Sequence, residues 1–452
     1  MNYILPAAMA LSLAPCLSAG AAPARASQPG PLRVGIAAAD ITPEGPAWLR
    51  GYAGRNTPSD GVSQKLLAQC VLFDNGQTRV ALVALDLCIL SHRQLIKLRR
   101  AAEAAGIPQQ HLMVNVSHTH WAPGLETEAN LEYEALFTER TQPLFAAAVA
   151  DLKPALLDYA VGISVVGINR RQLKPDGTYR GGPEPRKPID MDVPVLRVLD
   201  AQGRARAVIF GYACHPTTGA GRMMNIVHSD YPGYARDWIG TAYPGAEPIF
   251  LQGCGGDVKT RVVRPGVPGV RDGRGEFHWV ILGERDAKAM MGYEMGRAVL
   301  AAGIIPPPPV PTDRPLEPEA ALATPVPLGG IVEAVSLPSK TDPAQKGPML
   351  WLMGAWRIGD LYFSGSQGEI LSAIGRHIKA RMPDVRVWTC GYTHWGGGYF
   401  ADAASYPEGG YEVNNSSFGP QAEGILVDNA VRYVRELQTN PIHTAPIPRC
   451  SP

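Results

Sequence analysis

Short apolar runs bounded by turn-forming residues alternate along this chain with longer segments that have the apolar spacing of helices. Several runs are continuously hydrophobic, which is typical of strands that are buried on both faces of a sheet. Strands that alternate with helices predict an α/β fold, with mixed central β-sheets flanked by helices. The predicted strands are Val80–Leu87, Leu112–Val116, Val195–Leu199, Ala207–Tyr212, Pro248–Leu251, Leu361–Ser364 and Val385–Thr389. The predicted helices are Arg93–Ala105, Leu131–Leu152 (kinked at Pro143), Tyr231–Thr241, Glu284–Ala302, Ile370–Arg381 and Gly424–Glu436.

The composition of the 452-residue chain is that of a loop-rich globular protein. Hydrophobic residues make up 45% of it, enough for a sizeable core, and the 49 glycines and 42 prolines predict many loops. The 42 basic residues nearly balance the 41 acidic ones, which gives a formal net charge of +1. This balance argues against a protein that grips nucleic acid or an anionic membrane through a basic surface. The sequence leaves the oligomeric state open.

The N-terminal segment has the pattern of a signal peptide. The apolar run Ile4–Leu17 is followed by small residues that offer several Ala-x-Ala cleavage sites, although no Lys or Arg precedes the run. The run is shorter than the roughly 20 residues that span a bilayer. We therefore expect residues 1–26 to be a signal peptide and the mature protein to be periplasmic or secreted, with no stable membrane span. The cysteines that follow form no Cys-x-x-Cys pair, so disulfide bridges and buried free thiols both remain open.

A proline-rich segment at about residues 304–327 interrupts the second half of the chain. It fits either an interdomain linker in extended conformation or a crossover on the surface of one domain. We favour the crossover, because candidate functional residues lie on both sides of it. The predicted organisation is therefore a single catalytic domain over residues 27–452.

A histidine pattern follows two of the predicted strands. His118 and His120 come directly after Leu112–Val116, and His215 comes after Ala207–Tyr212. Residues i and i+2 of an extended chain face the same way, so His118 and His120 are expected to project together. The carboxyl ends of strands are where open α/β sheets bind ligands. A lone histidine at such a position is more often structural, but this combination favours a functional site.

Two further segments in the last third of the chain carry polar side chains next to glycines. Glu369 follows Ser364-Gly-Ser-Gln-Gly, where a strand turns into a helix. It is either a functional carboxylate or a residue that complements the dipole of that helix. The segment 391–399, Gly-Tyr-Thr-His-Trp-Gly-Gly-Gly-Tyr, allows backbone to approach a ligand closely, or else it is a surface loop.

Together these segments resemble the neutral (neutral/alkaline, non-lysosomal) ceramidases, zinc-dependent amidases that cleave the N-acyl bond of ceramide. The resemblance begins at Asp40-Ile-Thr-Pro43 and Arg50-Gly-Tyr-Ala53 and continues to about Asp428, which corresponds to the N-terminal catalytic domain of the family. It implies one zinc ion per chain. The implied zinc ligands are His118, His215, Glu369 and Tyr399.

The tyrosine ligand is the least direct of these assignments. It is placed by the spacing to Tyr411-Glu412 and Phe418-Gly-Pro420, and Tyr392 and His394 are close enough in sequence to compete for the position. The resemblance also implies that His120, Tyr411 and Arg170 line the reaction centre, with His120 polarising the scissile carbonyl. Two histidines, a carboxylate and a phenolate suit zinc and leave a position for water, whose pKa zinc lowers to about 7. The expected reaction is attack of a zinc-bound hydroxide on an N-acyl amide carbonyl.

The chain also departs from the family pattern. No C-terminal immunoglobulin-like domain is expected after the last matching helix, and Lys259 stands where the family has a serine near the reaction centre. Lys259 is either a salt-bridged surface group or a residue that binds an anionic substrate, and it is kept among the candidate catalytic residues. His228 is either a partner of a metal ligand or an ordinary loop histidine.

The predicted function is therefore a zinc-dependent amidohydrolase of a small or lipid-like N-acyl compound, with ceramide as one candidate substrate. The alternatives are an esterase, lactonase or phosphoesterase that uses the same site, and a lipid or glycan binder without turnover.

Overall fold

The structure is a computed structural model that describes residues 28–125, 127–218, 224–265, 277–279, 284–303, 318–340 and 349–440. The predicted signal peptide and residues 304–317 of the proline-rich segment lie outside the described residues, so both interpretations stay predictions. None of the described helices is both long enough and apolar enough to cross a membrane. The five cysteines within the described ranges are all buried and unbridged.

Strands dominate the described part of the chain. They are β1 (Arg33–Asp40), β2 (Gly61–Val62), β3 (Leu67–Asp74), β4 (Arg79–Leu85), β5 (Leu112–Val116), β6 (Lys153–Pro154), β7 (Leu156–Ile163), β8 (Gly167–Leu173), β9 (Tyr179–Glu184), β10 (Asp192–Leu199), β11 (Ala205–Tyr212), β12 (Ile226–Val227), β13 (Glu247–Gln252), β14 (Val258–Thr260), β15 (Val263–Pro265), β16 (Phe277–Trp279), β17 (Leu328–Leu337), β18 (Met349–Ile358), β19 (Leu361–Ser366), β20 (Glu369–Ile370), β21 (Arg386–Cys390) and β22 (Tyr399–Phe400).

Most of the described helices fall close to predicted positions, whereas the short helices Pro318–Ala323 and Tyr411–Asn414 were not predicted. They are α1 (His92–Ala104), α2 (Leu131–Thr141), α3 (Leu144–Ala150), α4 (Tyr231–Ala242), α5 (Glu284–Ala301), α6 (Pro318–Ala323), α7 (Ser372–Ala380), α8 (Tyr411–Asn414) and α9 (Ala422–Thr439). The predicted kink at Pro143 is a break between α2 and α3, because proline has no N–H with which to continue the helical hydrogen bonds. The mixed α/β class predicted from the sequence is confirmed.

The larger sheets have the strand orders β5-β4-β3-β1-β6, β13-β11-β10-β7 and β17-β18-β19-β21. Neighbouring strands in them are mostly antiparallel, and each sheet also contains one parallel pair. These pairs are β4 with β5, β11 with β13, and β19 with β21. The sheets are therefore mixed, as predicted, and each contributes the carboxyl ends of two parallel strands to the interior.

Asn115 ties these strand ends together. Its fully buried side-chain amide donates to the carbonyl of Gln252, at the end of β13, at 3.1 Å, and to the carbonyl of Gly391, just after β21, at 2.8 Å. Its side-chain oxygen accepts the backbone N–H of Gln252 at 2.7 Å. One side chain on β5 thus forms hydrogen bonds with backbone groups of the two other sheets. Buried backbone N–H and C=O groups need such partners because water does not reach them. The candidate functional residues lie just beyond this junction.

A candidate metal centre where three sheets meet

His118 leaves the sheet immediately after β5. The backbone N–H of Ser117 still bonds to the carbonyl of Leu85, but His118 has a φ of 63° and so lies in the left-handed region. For a non-glycine residue this conformation costs on the order of 1–2 kcal/mol. The extended geometry predicted for His118 and His120 is therefore wrong, although the two imidazoles do converge, with 3.2 Å between their Nε2 atoms. A turn, and not strand alternation, brings them together.

His215 and Glu369 approach the same point from the other two sheets. His215 follows β11 and is fully buried, and its Nε2 lies 2.9 Å from Oε2 of Glu369. The same carboxylate oxygen lies 3.3 Å from Nε2 of His118. The ligand atoms of these three side chains all lie within 4.8 Å of one another, so the group is able to hold a metal ion.

Glycine at position 368 is required to bring Glu369 into place. Gly368 has a φ of 77°, and a Cβ added there would lie 2.5 Å from the ring of Trp351. Only a residue without a side chain fits both the backbone conformation and the space. The Gly-rich turn predicted before Glu369 therefore has a direct structural reason.

The hydrogen bonds on the far side of each imidazole fix which nitrogen faces the centre. Nδ1 of His118 donates to the carbonyl of Cys88, and Nδ1 of His215 donates to the carbonyl of Gly255, both at 2.7 Å. This is the arrangement that orients metal-binding histidines, because it leaves Nε2 with a lone pair. Burial, followed by the nearby Arg170, lowers the pKa of His215 to about 4, so this imidazole is neutral near pH 7.

A cation fits these donors. The lone pair on Nε2 of neutral His215 points at a carboxylate oxygen of Glu369, so two electron-rich atoms face each other. Because both atoms are buried, a positive charge between them would offset the cost of removing them from water. Burial raises the pKa of Glu369, but the stronger effect of a protonated His118, together with the hydrogen bond to His215, holds it well below its ordinary value. Burial lowers the pKa of His118, but Cys88 and Glu369 together raise it well above its ordinary value, so a proton on His118 supplies the positive charge where no other cation does. The carboxylate is thus anionic. Two imidazole nitrogens and a carboxylate oxygen match the donor types that zinc prefers.

Tyr399 is the fourth predicted ligand. It lies on β22, directly opposite Glu369 of β20 in a short parallel pair. Its hydroxyl accepts a hydrogen bond of 2.7 Å from Nη2 of Arg170 and also bonds to Glu369. The predicted tyrosine therefore lies beside the three other predicted ligands.

Tyr392 and His394, which compete with Tyr399 for the fourth ligand position in the sequence, have different surroundings. The ring of Tyr392 packs on His118, with 4.5 Å between centroids, and its buried hydroxyl has no hydrogen-bond partner among the described residues. His394 is buried near Trp356, with 5.7 Å between ring centroids. The structure thus brings Tyr399, and not His394, to the carboxylate.

Arg170 and Arg171 share one carboxylate that the sequence reasoning missed. Nε of Arg170 donates to Oε1 of Glu412 and Nη1 of Arg171 donates to its Oε2, both at 2.9 Å. Arg171 is almost fully buried and also donates to the carbonyl of Gly409. The only sequence signal for this network was the pair of arginines beside one another in β8. The network fixes the guanidinium of Arg170, which donates a hydrogen bond to Tyr399.

Tyr411 lies at the rim of the centre. Its side chain is 56% exposed, and its ring is 5.4 Å from the ring of Tyr399 in an edge-to-face arrangement. The residue is therefore in reach of a bound molecule but not of the buried ligand atoms.

His120 lines the opposite wall. Its ring packs edge-to-face on Tyr52, with 4.7 Å between centroids, and its carbonyl accepts a bond from Arg55. Burial and the neighbouring His118 and His215 hold the pKa of His120 well below its ordinary value. A neutral imidazole that presents Nε2 to the centre is able to donate a hydrogen bond to a developing oxyanion.

Replacing Gly51 by alanine tests how tightly His120 is held. Gly51 has a φ of 110°, and an added Cβ would lie 2.4 Å from the His120 ring. We expect Gly51→Ala to displace the imidazole and to lower kcat about 10- to 100-fold, since misplacing a reacting group by about 1 Å has effects of that size. Gly54→Ala is the matched control, because nothing lies within 4 Å of its added Cβ. Equal steady-state rates for the two variants would contradict the prediction.

Lys259 and His228 have distinct surroundings. Lys259 lies on β14 and forms an isolated parallel bridge with His215. His228 is buried and stacks on Trp121 at 4.3 Å, and its Nε2 lies 3.0 Å from Nζ of Lys288. Its carbonyl accepts the hydroxyl of Thr119, which lies between the two site histidines. His228 thus contacts the loop that carries His118 and His120 and not the ligand atoms themselves.

Comparison with known proteins supports this architecture through structure alone, because no family model and no curated protein matches the sequence. The neutral ceramidase from Pseudomonas aeruginosa aligns with a TM-score of 0.70 at 18% identity, over 92% of this chain and 76% of that one. A ceramidase described as complexed with C2 aligns with a TM-score of 0.68 at 17% identity, over 93% of this chain and 78% of that one. The chain therefore has the fold of the neutral ceramidases.

Proposed function

We propose that this protein is an exported zinc-dependent hydrolase that cleaves an N-acyl amide bond. The observation that carries the proposal is the convergence of His118, His215 and Glu369 on one buried point, with His120 and Tyr399 beside it. The alignment with ceramidases, one of which is named a neutral ceramidase, supports an N-acyl substrate. Zinc held by His118, His215, Glu369 and Tyr399 would supply Lewis acidity and make water acidic enough to be a nucleophile near neutral pH.

The side chains around this point have separable tasks. His120 is neutral and faces the centre, so its Nε2–H is available for the carbonyl oxygen as negative charge develops there. To serve the leaving nitrogen, the imidazole would first have to accept the proton that the attacking water releases and then pass it on. Arg170 orients the Tyr399 hydroxyl through a 2.7 Å bond, and the exposed Tyr411 ring covers that pair. Tyr411 is thereby placed to contact the substrate.

Substitution of His120 by leucine is expected to lower kcat about 100- to 1000-fold, because it removes a donor aimed at the oxyanion. The metal content should stay at the wild-type level, since the ligand side chains are untouched. Steady-state kinetics together with elemental analysis of the same preparation measure both quantities. An unchanged kcat would remove His120 from the reaction.

An ester-cleaving activity is the second candidate, and Lys259 beside His215 is the observation that favours it. The same chemistry attacks an ester, a lactone or an anionic phosphoester, whose charge a lysine would complement. Amide and ester analogues with one common acyl group distinguish the two functions. The proposal expects metal-dependent cleavage of the amide, whereas cleavage of the ester alone would overturn it. Saturable binding of both without any product would instead indicate a non-catalytic binder.

A further inference from the structure

The buried segment His228–Asp230 contacts both of the loops that carry the candidate histidine ligands. One loop follows β5 and carries His118 and His120, and the other follows β11 and carries His215. The segment directly precedes α4, and Asp230 is the N-cap residue of that helix. Because it is joined to a helix on one side and to both loops on the other, the segment is placed to fix how far apart the loops lie.

The backbone of His228 contacts the first loop on both sides of His120. Its carbonyl accepts a hydrogen bond of 2.9 Å from Oγ1 of Thr119, and its N–H donates to the carbonyl of Trp121 at 3.3 Å. The imidazole of His228 also stacks on the Trp121 ring. Since Thr119 and Trp121 are the two neighbours of His120, these contacts fix the backbone from which the imidazoles of this loop project.

The carboxylate of Asp230 contacts the second loop. Its Oδ1 accepts a hydrogen bond of 2.7 Å from Oγ1 of Thr218, and its Oδ2 accepts the backbone N–H of the same residue at 3.0 Å. Thr218 lies three residues after His215. The hydroxyl of Tyr231 donates to the carbonyl of Cys214, directly before His215, at 2.9 Å. The second loop is thus bonded to residues 230 and 231 on both sides of its histidine.

Asp230 has a backbone conformation that is unfavourable for a residue with a side chain. Its φ of 62° and ψ of −154° lie in a region that essentially only glycine occupies. Its N–H donates to Nδ1 of His228 at 3.0 Å, which joins the two ends of the segment. Glycine would adopt this conformation without strain, but it has no carboxylate to accept the bonds from Thr218. An aspartate at this position is therefore explained by what its carboxylate binds.

We propose that His228 and Asp230 are positioning residues that set the spacing between the His118 and His215 loops, and thereby the affinity of the centre for its metal ion. The inference rests on the proposed function, because it concerns the metal that the proposed reaction uses. Loss of a residue that orients metal ligands typically lowers metal affinity or activity about 10- to 100-fold.

The test removes one threonine hydroxyl at a time and measures zinc affinity by competition with a chelator of known affinity. Valine has nearly the shape of threonine but lacks the hydrogen-bond donor. We expect Thr119→Val and Thr218→Val each to weaken zinc binding about 10- to 100-fold. The visible absorption bands of the Co²⁺-loaded variants should also shift, because these bands depend on the coordination geometry. Thr119→Ser and Thr218→Ser, which keep the hydroxyl, should retain the wild-type affinity and spectrum.

Thr141→Val is the matched control for the loss of a buried threonine hydroxyl. Oγ1 of Thr141 donates to the carbonyl of Phe137 at 2.7 Å in α2, a helix that supplies none of the candidate ligands. The control should lower the thermal midpoint as the site variants do and should leave the zinc affinity unchanged. Asp230→Asn replaces a carboxylate oxygen by an amide donor, and asparagine tolerates a positive φ. It should weaken zinc binding too, and it provides the test if a valine variant does not fold.

Two results would overturn the inference while the proposed function stands. One is a wild-type zinc affinity and Co²⁺ spectrum in a folded Thr119→Val or Thr218→Val protein. The other is an equal loss of zinc affinity in Thr141→Val, which would reduce the effect to general destabilisation. Wild-type protein that binds neither zinc nor cobalt would overturn the proposed function and the inference together.

Discussion

Replacing His215 by alanine is expected to lower kcat/KM about 1000-fold or more, because a metal ion contributes several kcal/mol of transition-state stabilisation. His215 is fully buried, and its Nε2 lies 2.9 Å from the Glu369 carboxylate at the centre. Its removal takes away one of the nitrogen atoms that we propose hold the metal. Steady-state kinetics on N-acyl substrates, with zinc supplied, measure the loss.

A chelator-treated wild-type sample separates loss of metal from loss of folding. It should lose activity as His215→Ala does, should keep the thermal transition of a folded chain, and should recover when zinc is returned. His377→Ala is the matched histidine control, since His377 is exposed on α7 and pairs with Glu423. Activity that survives both chelation and His215→Ala would contradict the metal-dependent account.

Replacing Glu412 by glutamine is expected to destabilise the protein by about 3–5 kcal/mol, the range for removing one partner from a buried ion pair. The carboxylate accepts bonds from Arg170 and Arg171, and all three side chains lie largely out of solvent. A neutral amide leaves two neighbouring guanidinium groups without their shared negative charge. Urea unfolding of the two proteins measures the difference in the free energy of unfolding.

The difference in the free energy of unfolding between wild type and Glu412→Gln should depend on pH in a defined direction. Burial raises the pKa of Glu412, but Arg170 and Arg171 together hold it below its ordinary value. The stabilisation is therefore present above the unfolded-state pKa of about 4.3 and is lost as the pH falls through the lower folded-state value. The gap between wild type and Glu412→Gln should narrow below about pH 4. Asp428→Asn, which breaks an exposed pair with Arg381, should shift the unfolding midpoint little at any pH.

Local signals in the sequence indicated where the candidate site residues lie relative to strands and turns. The strands that end before His118 and His215 are continuous apolar runs, and the glycine before Glu369 marks the turn that its φ of 77° requires. Each of these signals is contained in about ten residues, so it is visible without the fold. The ligand set came from the resemblance to a family, and the structure brings its four members together.

Long-range contacts account for what the sequence did not predict. The hydrogen bonds of Asn115 reach Gln252 and Gly391, which lie 137 and 276 positions away along the chain. Glu412 bonds to Arg171 across 241 positions. The left-handed backbone of His118 is equally non-local, because the carbonyl of Cys88 and the carboxylate of Glu369 fix its ring. The long antiparallel pair of β17 and β18 was missed for the same reason, since pairing partners leave no short-range pattern.

The most direct test of the central claim is the elemental metal content of the purified protein, measured without added metal. The account predicts about one zinc per chain, and it predicts that His118→Ala loses this zinc while retaining a cooperative thermal transition. Wild-type protein that contains no metal, and that takes up none when zinc is supplied, would contradict the account.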